Sequence, residues 1–281
     1  MIFWTKASFK LMQQALFSIN NLSCGYNANR TVLSVDALKI YSGQITFIVG
    51  KSGSGKSTML ETLGFMNNTF NSKTAGQVIF HDIKSKVDTD MVGLWPQKIA
   101  NHSKFRNDHF SFIFQENNLL EHFCASDNIL VPMLLAGKET TTALDEIREA
   151  FREIHLPEHI MAQNTRMLSG GQRQRISFLR ALLSKKPVLF GDEPTGNLDP
   201  VTARALMTMV KDNIGNTGSS AIIVSHDLPL ACNFADRIIM LKVDEETQMG
   251  VIGNIFERKG EDWVNEISNE RIDQSEIINL L

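Results

Sequence analysis

Nine consecutive residues, Gly50-Lys51-Ser52-Gly53-Ser54-Gly55-Lys56-Ser57-Thr58, fit the pattern G-x-x-x-x-G-K-[ST]. Its glycines let the backbone curl so that successive N–H groups point inward at phosphate oxygens. Lys56 adds a mobile point charge for the outer phosphates, and the Ser57 hydroxyl can reach a divalent cation such as Mg²⁺. The apolar run Ile45-Thr46-Phe47-Ile48-Val49 precedes the loop and a helical stretch follows it, which is the context this chemistry requires. A helix opening near Lys56 turns its positive dipole end toward the same phosphates. A second apolar run, Val188-Leu189-Phe190, leads through Gly191 into Asp192 and Glu193. Asp192 is placed to hold Mg²⁺, and Glu193 to polarise a water that attacks a terminal phosphate.

Positioning these groups is the task of the surrounding elements. Short continuous apolar runs at residues 45–49, 112–114, 188–190, 221–224 and 238–241 read as strands buried on both faces, as in parallel sheets. Helical stretches at 57–66, 143–155, 171–184 and 200–214 alternate with them, which predicts an α/β fold. Residues 18–24 and 32–40 look like antiparallel strands around the polar loop Asn27-Ala28-Asn29, with 78–81 joining them. Residues 117–168 read as an inserted helical subdomain, and 67–75 and 84–106 as polar loops.

Composition removes several function classes. The 281 residues are 43% hydrophobic and 21% charged, ordinary for one globular domain with a sizeable insertion. A net charge of −3 excludes a basic surface spread over the whole chain, and with it the simplest nucleic-acid binder. Residues 242–281 hold ten acids and four bases. Cys24, Cys124 and Cys232 lie far apart, give no metal-ligand spacing and suit a reducing compartment as small apolar residues. No run approaches the ~18 apolar residues of a membrane span. Near the start, Phe3, Trp4, Lys6, Phe9, Lys10, Leu11, Met12 and Leu16 suggest a short amphipathic arm rather than a signal peptide.

Leu168-Ser169-Gly170-Gly171-Gln172 sets this chain apart from phosphate-loop proteins in general. It resembles the signature motif of the ATP-binding cassette (ABC) ATPases, standing before Arg173, Arg175 and Arg180 and ahead of Asp192 as in that family. Four smaller matches fall in the family's order. Gln115 is similar to the Q-loop glutamine, Asn197-Leu198-Asp199 to the D-loop, His226 to the switch histidine, and Tyr26 to the aromatic residue that stacks on adenine. The resemblance covers residues 16–253, with the helical insert at about 117–168, and leaves 254–281 as an acidic tail that reads as a solvated C-terminal helix. Residues 114–120 and 192–199 resemble the branch serving lipoprotein-release, macrolide-export and cell-division permease complexes. Three departures stand out: Gly191 before the Mg²⁺ aspartate, expected to loosen that strand, the divergent segment 82–109, and the acidic tail.

The resemblance implies a P-loop NTPase fold with a parallel-sheet core, an N-terminal antiparallel β-subdomain and the helical insert. It implies a head-to-tail dimer, most simply of two copies, that uses ATP with Mg²⁺. Tyr26, Gly50, Ser52, Gly53, Gly55, Lys56, Ser57, Thr58 and Gln115 would bind the nucleotide within one subunit. Ser169, Gly170 and Gly171 would reach the γ-phosphate from the second, with Gln172 and Asp199 completing the contacts. Ser57, Gln115 and Asp192 would hold Mg²⁺, and Glu193, His226 and Lys56 would be catalytic. Leu119, Leu120 and Phe123 would line a groove for a cytoplasmic helix of an integral-membrane permease, which would keep the subunit on the inner face of the membrane. No nucleic-acid partner is expected. The other reading is a soluble, non-transport ABC protein; those usually carry two cassettes, long coiled coils or zinc sites, and this sequence has one cassette and neither of the others.

Overall fold

The computed structural model describes residues 14–26, 30–70, 76–97, 99–196 and 198–280. Residues 1–13 of the N-terminal arm, the loop Asn27-Ala28-Asn29, residues 71–75 and Asn197 lie outside the described residues.

The chain opens with β1 (Ala15–Cys24), β2 (Leu33–Tyr41), β3 (Ile45–Gly50) and α1 (Lys56–Leu63). Then come β4 (Gln77–Asp82), β5 (Val87–Asp90), α2 (Met91–Leu94), α3 (Ile99–His109) and β6 (Phe110–Ile113). The insert contributes α4 (Ala125–Leu135) and α5 (Thr140–Glu153) with two short 3₁₀ turns. The core resumes with α6 (Gly170–Leu183), β7 (Val188–Asp192), α7 (Pro200–Thr217), β8 (Ser220–Val224), α8 (Leu228–Phe234) and β9 (Arg237–Val243). Last are β10 (Gly250–Lys259), β11 (Asp262–Asn265), β12 (Glu270–Ile272) and α9 (Gln274–Ile278).

Strands β9, β3, β8, β7 and β6 lie side by side and parallel. An antiparallel arm, β5-β4-β1-β2, joins them through β10, which runs antiparallel to β9 and meets β2 at one parallel pair, Gly250 with Leu33. Every residue of β3 and β8 is buried, as continuous apolar runs require when both faces are covered. Period-two alternation sends Ile45, Phe47 and Val49 into a core shared with the insert and α6, while Ile48 joins Phe17, Phe80, Phe110 and Phe190 beneath the antiparallel arm. Within that arm, Ser18 bonds His81 at 2.9 Å and His81 bonds Asp88 at 2.7 Å, a ladder that pins the register of β1, β4 and β5.

Four expectations are corrected. The run expected at 112–114 is a strand set earlier, at Phe110–Ile113, which leaves Phe114 and Gln115 beyond its end. Residues 84–106 are not a loop: they form β5, α2 and most of α3. Their polar sequence has no helical stripe, and aromatic contacts do the holding instead. The Phe65 ring meets Trp95 edge-on at 4.6 Å, His102 at 5.2 Å and Phe105 at 5.7 Å, and Trp95 stacks on His102. Gly191 does not loosen β7: it pairs with Ile113 on one side and Ile223 on the other, and the Pro194 ring fills the space where a Cβ would stand. Finally, the acidic tail is not a solvated helix. A boundary at residue 253 falls inside β10, and Phe256, Trp263 and Ile277 are buried in the main core. Arg237, itself buried, forms a bidentate pair with Glu266, and the Arg258 guanidinium lies over the Trp263 ring. The acids sit on the outer positions of this hairpin, and three well-placed apolar side chains outweigh them.

Trp263→Ala should therefore lower stability by about 3–5 kcal/mol, as large-to-small changes in a packed core do. A urea midpoint equal to that of the unchanged chain would place residues 254–281 outside the core.

Candidate active site

The glycine loop closes the end of β3. Gly50, Gly53 and Gly55 have φ of 153°, 80° and 89°, and a Cβ on Gly50 would stand 2.4 Å from the Leu241 carbonyl oxygen. Gly55 is the left-handed N-cap of α1 and supplies no side-chain acceptor, so the first N–H groups of α1 keep their capacity for an anion. The Lys56 ammonium spans the loop, donating to the Gly50 and Lys51 carbonyls at 2.8 and 3.0 Å. Ser57 is exposed at the start of α1, whereas Thr58 is buried.

Strand β7 delivers the acids. Burial raises the Asp192 carboxyl above its ordinary range, Glu193 and Glu61 add to this, and Lys56 opposes it. Burial likewise lowers the Lys56 ammonium, while Glu193 and Asp192 pull it back up. Glu193 turns out of the strand with φ of 46°, an uncommon conformation for a side-chain-bearing residue, held by its N–H to the Val224 carbonyl. Its carboxylate meets His226 Nδ1 at 2.9 Å. His226 follows β8, the neighbour of β7, so sheet order sets this pair. Gly50, Lys51, Ser52, Lys56, Glu193 and His226 together line one cleft of about 360 Å³. A larger groove of about 1140 Å³ lies between α5, α6 and α7 but contains none of the motif residues.

The remaining expected residues lie outside this cleft. Tyr26 is half-exposed, with its hydroxyl donating to Glu61 Oε2 at 2.8 Å and lying 3.3 Å from Thr58 Oγ1. Gln115 is exposed beyond β6. Ser169 caps α6 in a reciprocal box: its hydroxyl accepts from the Gln172 N–H, and the Gln172 side chain accepts from the Ser169 N–H. Gly170 and Gly171 present an open backbone at that helix start. Asp199 caps α7 by accepting from the Val201 and Thr202 N–H groups, and its bond from the Thr202 hydroxyl leads the causes that lower its carboxyl.

Sequence reasoning missed the residues that join these loops. Gln174, buried in α6, donates to the Pro194 carbonyl at 2.8 Å just after Glu193. Arg180 donates to the Asn117 and Asn118 carbonyls just after Gln115. Asn128 is buried and clamps the next loop, accepting from the Leu120 N–H and donating to the Leu120 and Cys124 carbonyls, while Leu120 and Phe123 stay half-exposed. The signal available was a polar residue at a core position of a helix, which must find a partner.

The raised Asp192 carboxyl costs the folded chain stability wherever the unfolded group is ionised. Without nucleotide or metal, Asp192→Asn should therefore raise the thermal midpoint at neutral pH. The gap should close as pH falls toward the ordinary aspartate value of 3.8, where the penalty vanishes. An unchanged or lowered midpoint at neutral pH would contradict this electrostatic account.

Comparison with known proteins completes the picture. The ABC transporter family matches residues 33–196. The lipoprotein-releasing system ATP-binding protein LolD of Shewanella frigidimarina is 34% identical over 236 residues, covering 82% of this chain and 91% of that protein. The macrolide export ATP-binding/permease protein MacB of Pasteurella multocida is 30% identical over 263 residues, covering 92% of this chain and 38% of that longer protein. Among solved structures, a bacterial ABC transporter cassette in dimeric form is similar with a TM-score of 0.71 and 27% identity, over 87% of this chain and 99% of that one. The same cassette as a post-hydrolysis dimer bound to ADP and Pi gives a TM-score of 0.70 at 25% identity, with the same coverage. The matched region exceeds half of the sequence, and the cleft carries the chemistry expected of it: the chain belongs to the ABC transporter family as an ATP-binding cassette.

Proposed function

We propose that the chain is the ATP-binding and ATP-hydrolysing subunit of a transporter complex, working as a pair against an integral-membrane permease. What carries this function is the convergence of Lys56, Glu193 and His226 on one cleft at the mouth of the glycine loop. A γ-phosphate seated there meets the loop N–H groups and the Lys56 ammonium. Glu193 orients a water and takes its proton as the water oxygen bonds to γ-phosphorus and the bond to the β,γ-bridging oxygen breaks. His226, tethered to Glu193 through Nδ1, has a second ring nitrogen with which to contact the γ-phosphate.

Oxygen donors with surplus negative charge suit a hard divalent cation, and Asp192, beside Glu193 and under the field of Glu61, meets that requirement. Bound Mg²⁺ would neutralise charge on the β- and γ-phosphates, held by Asp192 and Ser57 with Gln115. The adenine would stack on Tyr26. Ser169, Gly170 and Gly171 are absent from their own chain's cleft, which supports their serving the γ-phosphate of a second subunit at the start of α6. ATP then joins two subunits, and hydrolysis releases them because closed and open pairs bind it differently.

The relatives named for lipoprotein release and macrolide export support a permease partner. Half-exposed Leu120 and Phe123, held by the Asn128 clamp, offer that partner's cytoplasmic helix an apolar seat. No helix among the described residues is long and apolar enough to cross a membrane. The permease partner would hold the subunit on the cytoplasmic face of the membrane.

Glu193→Gln should retain ATP binding, lower steady-state turnover by about 10²-fold or more and accumulate an ATP-dependent dimer in gel filtration. Lys56→Ala should lose binding and dimer alike. Ser169→Arg should stop hydrolysis while the monomer still binds nucleotide. Normal turnover by Glu193→Gln would remove the water-positioning role, and normal turnover by Ser169→Arg would remove the shared site. Phe123→Asp should abolish copurification with the permease partner and spare the ATPase activity of the isolated subunit. Undiminished copurification would move the docking surface elsewhere.

A further inference from the structure

Glu61 lies on α1, one turn beyond the phosphate loop, outside every motif discussed above. Its Oε2 atom accepts two hydrogen bonds, from the Tyr26 hydroxyl at 2.8 Å and from Asn67 Nδ2 at 2.9 Å. Tyr26 Oη also lies 3.3 Å from Thr58 Oγ1, one residue after Ser57. The tyrosine is therefore fastened at its outer end to the same helix whose first turn faces the phosphates. Its ring is half-exposed, at 51%, so packing alone does not fix its plane. A half-exposed ring free to turn about its side-chain torsions would lose rotamer freedom on stacking against a base. A ring already held by a carboxylate has less to lose. From this geometry we propose that Glu61 is a positioning residue for the base. Through the Tyr26 hydroxyl it holds the aromatic platform at a set distance from the phosphate loop, so that ring and loop engage one purine nucleoside triphosphate together. The inference rests on the stacking role given to Tyr26 above. Glu61 touches no phosphate in this role, but its charge also acts on Asp192, so the test must separate the hydrogen bond from the charge.

The test compares ATP with inorganic tripolyphosphate, each with Mg²⁺, by equilibrium titration of the full chain. Measured against Glu61→Gln, which removes the same charge but keeps an acceptor oxygen, Glu61→Ala should bind ATP about fivefold more weakly, the equivalent of one lost hydrogen bond, and should bind tripolyphosphate equally. In turnover assays Glu61→Ala should show a higher KM than Glu61→Gln at an equal kcat. Tyr26→Phe should weaken ATP binding by a similar factor, and in that background Glu61→Ala and Glu61→Gln should bind ATP equally. The same loss from Gln to Ala for tripolyphosphate as for ATP, equal ATP affinity in the two Glu61 variants, or an undiminished difference between them in the Tyr26→Phe background would each overturn the proposal. Tyr26→Ala separates the two levels: if it leaves ATP affinity intact, the stacking role falls and the Glu61 role with it; if it weakens ATP binding while Glu61→Ala binds ATP as tightly as Glu61→Gln, only the Glu61 role falls.

Discussion

An anion of high charge must enter a cleft that already holds carboxylates. Asp192 and Glu193 are adjacent in sequence, Glu61 adds its field, and the cation among them, Lys56, is partly desolvated. Burial disfavours the charged forms of Asp192 and Lys56, and the charge of Glu193 adds to the penalty on Asp192. Lys56 is the compromise: it donates to the loop carbonyls and feels both acids. On the proposed function, a nucleotide brought in with a divalent cation would relieve this tension, the carboxylates holding the cation and the loop N–H groups the phosphates. The repulsion in the empty cleft would then be a trade of stability for activity.

That arrangement must be passed on to distant surfaces, and α6 is built for it. Its first residue pair presents the open backbone of Gly170 and Gly171, Gln174 holds the loop after Glu193, and Arg180 holds the loop after Gln115. A displacement of the acid-bearing loop cannot leave the helix unaffected, since the Gln174 side chain is buried and its bond to Pro194 cannot be exchanged for water. From Asn117 and Asn118 the chain continues to Leu120 and Phe123, whose loop is clamped by Asn128. If Leu120 and Phe123 seat the permease as proposed, the route from phosphate to partner would be this short chain of hydrogen bonds between side chains and backbone carbonyls.

Much of this was legible before the structure. The parallel strands announced themselves because burial on both faces demands unbroken apolar runs, and the glycine loop because few other sequences permit its backbone. What escaped was anything carried by single long-range contacts. Helix α3 has no apolar stripe and is held by Phe105 and His102 against Phe65, residues whose meeting depends on tertiary folding. The tail carries ten acids from residue 242 onward, and charge counting concealed Phe256, Trp263 and Ile277. Glu61 belongs to no motif, and its partner, Tyr26, lies in a different part of the chain.

The misread tail also bears on the loop itself. Gly250, the first residue of β10, bonds the Val32 carbonyl, and a Cβ there would lie 2.2 Å from the Ser54 carbonyl oxygen. The backbone of the phosphate loop thus rests directly on the strand that begins the acidic hairpin. Gly50 lies as close to the Leu241 carbonyl of β9, so the cradle is gripped from two neighbouring strands. Glycine at 250 is required by the loop's position, just as glycine at 50 is required by the strand's. A loop with so many left-handed residues has wide conformational freedom in isolation. Its single active shape is imposed by β9 and β10, strands that follow it far along the sequence.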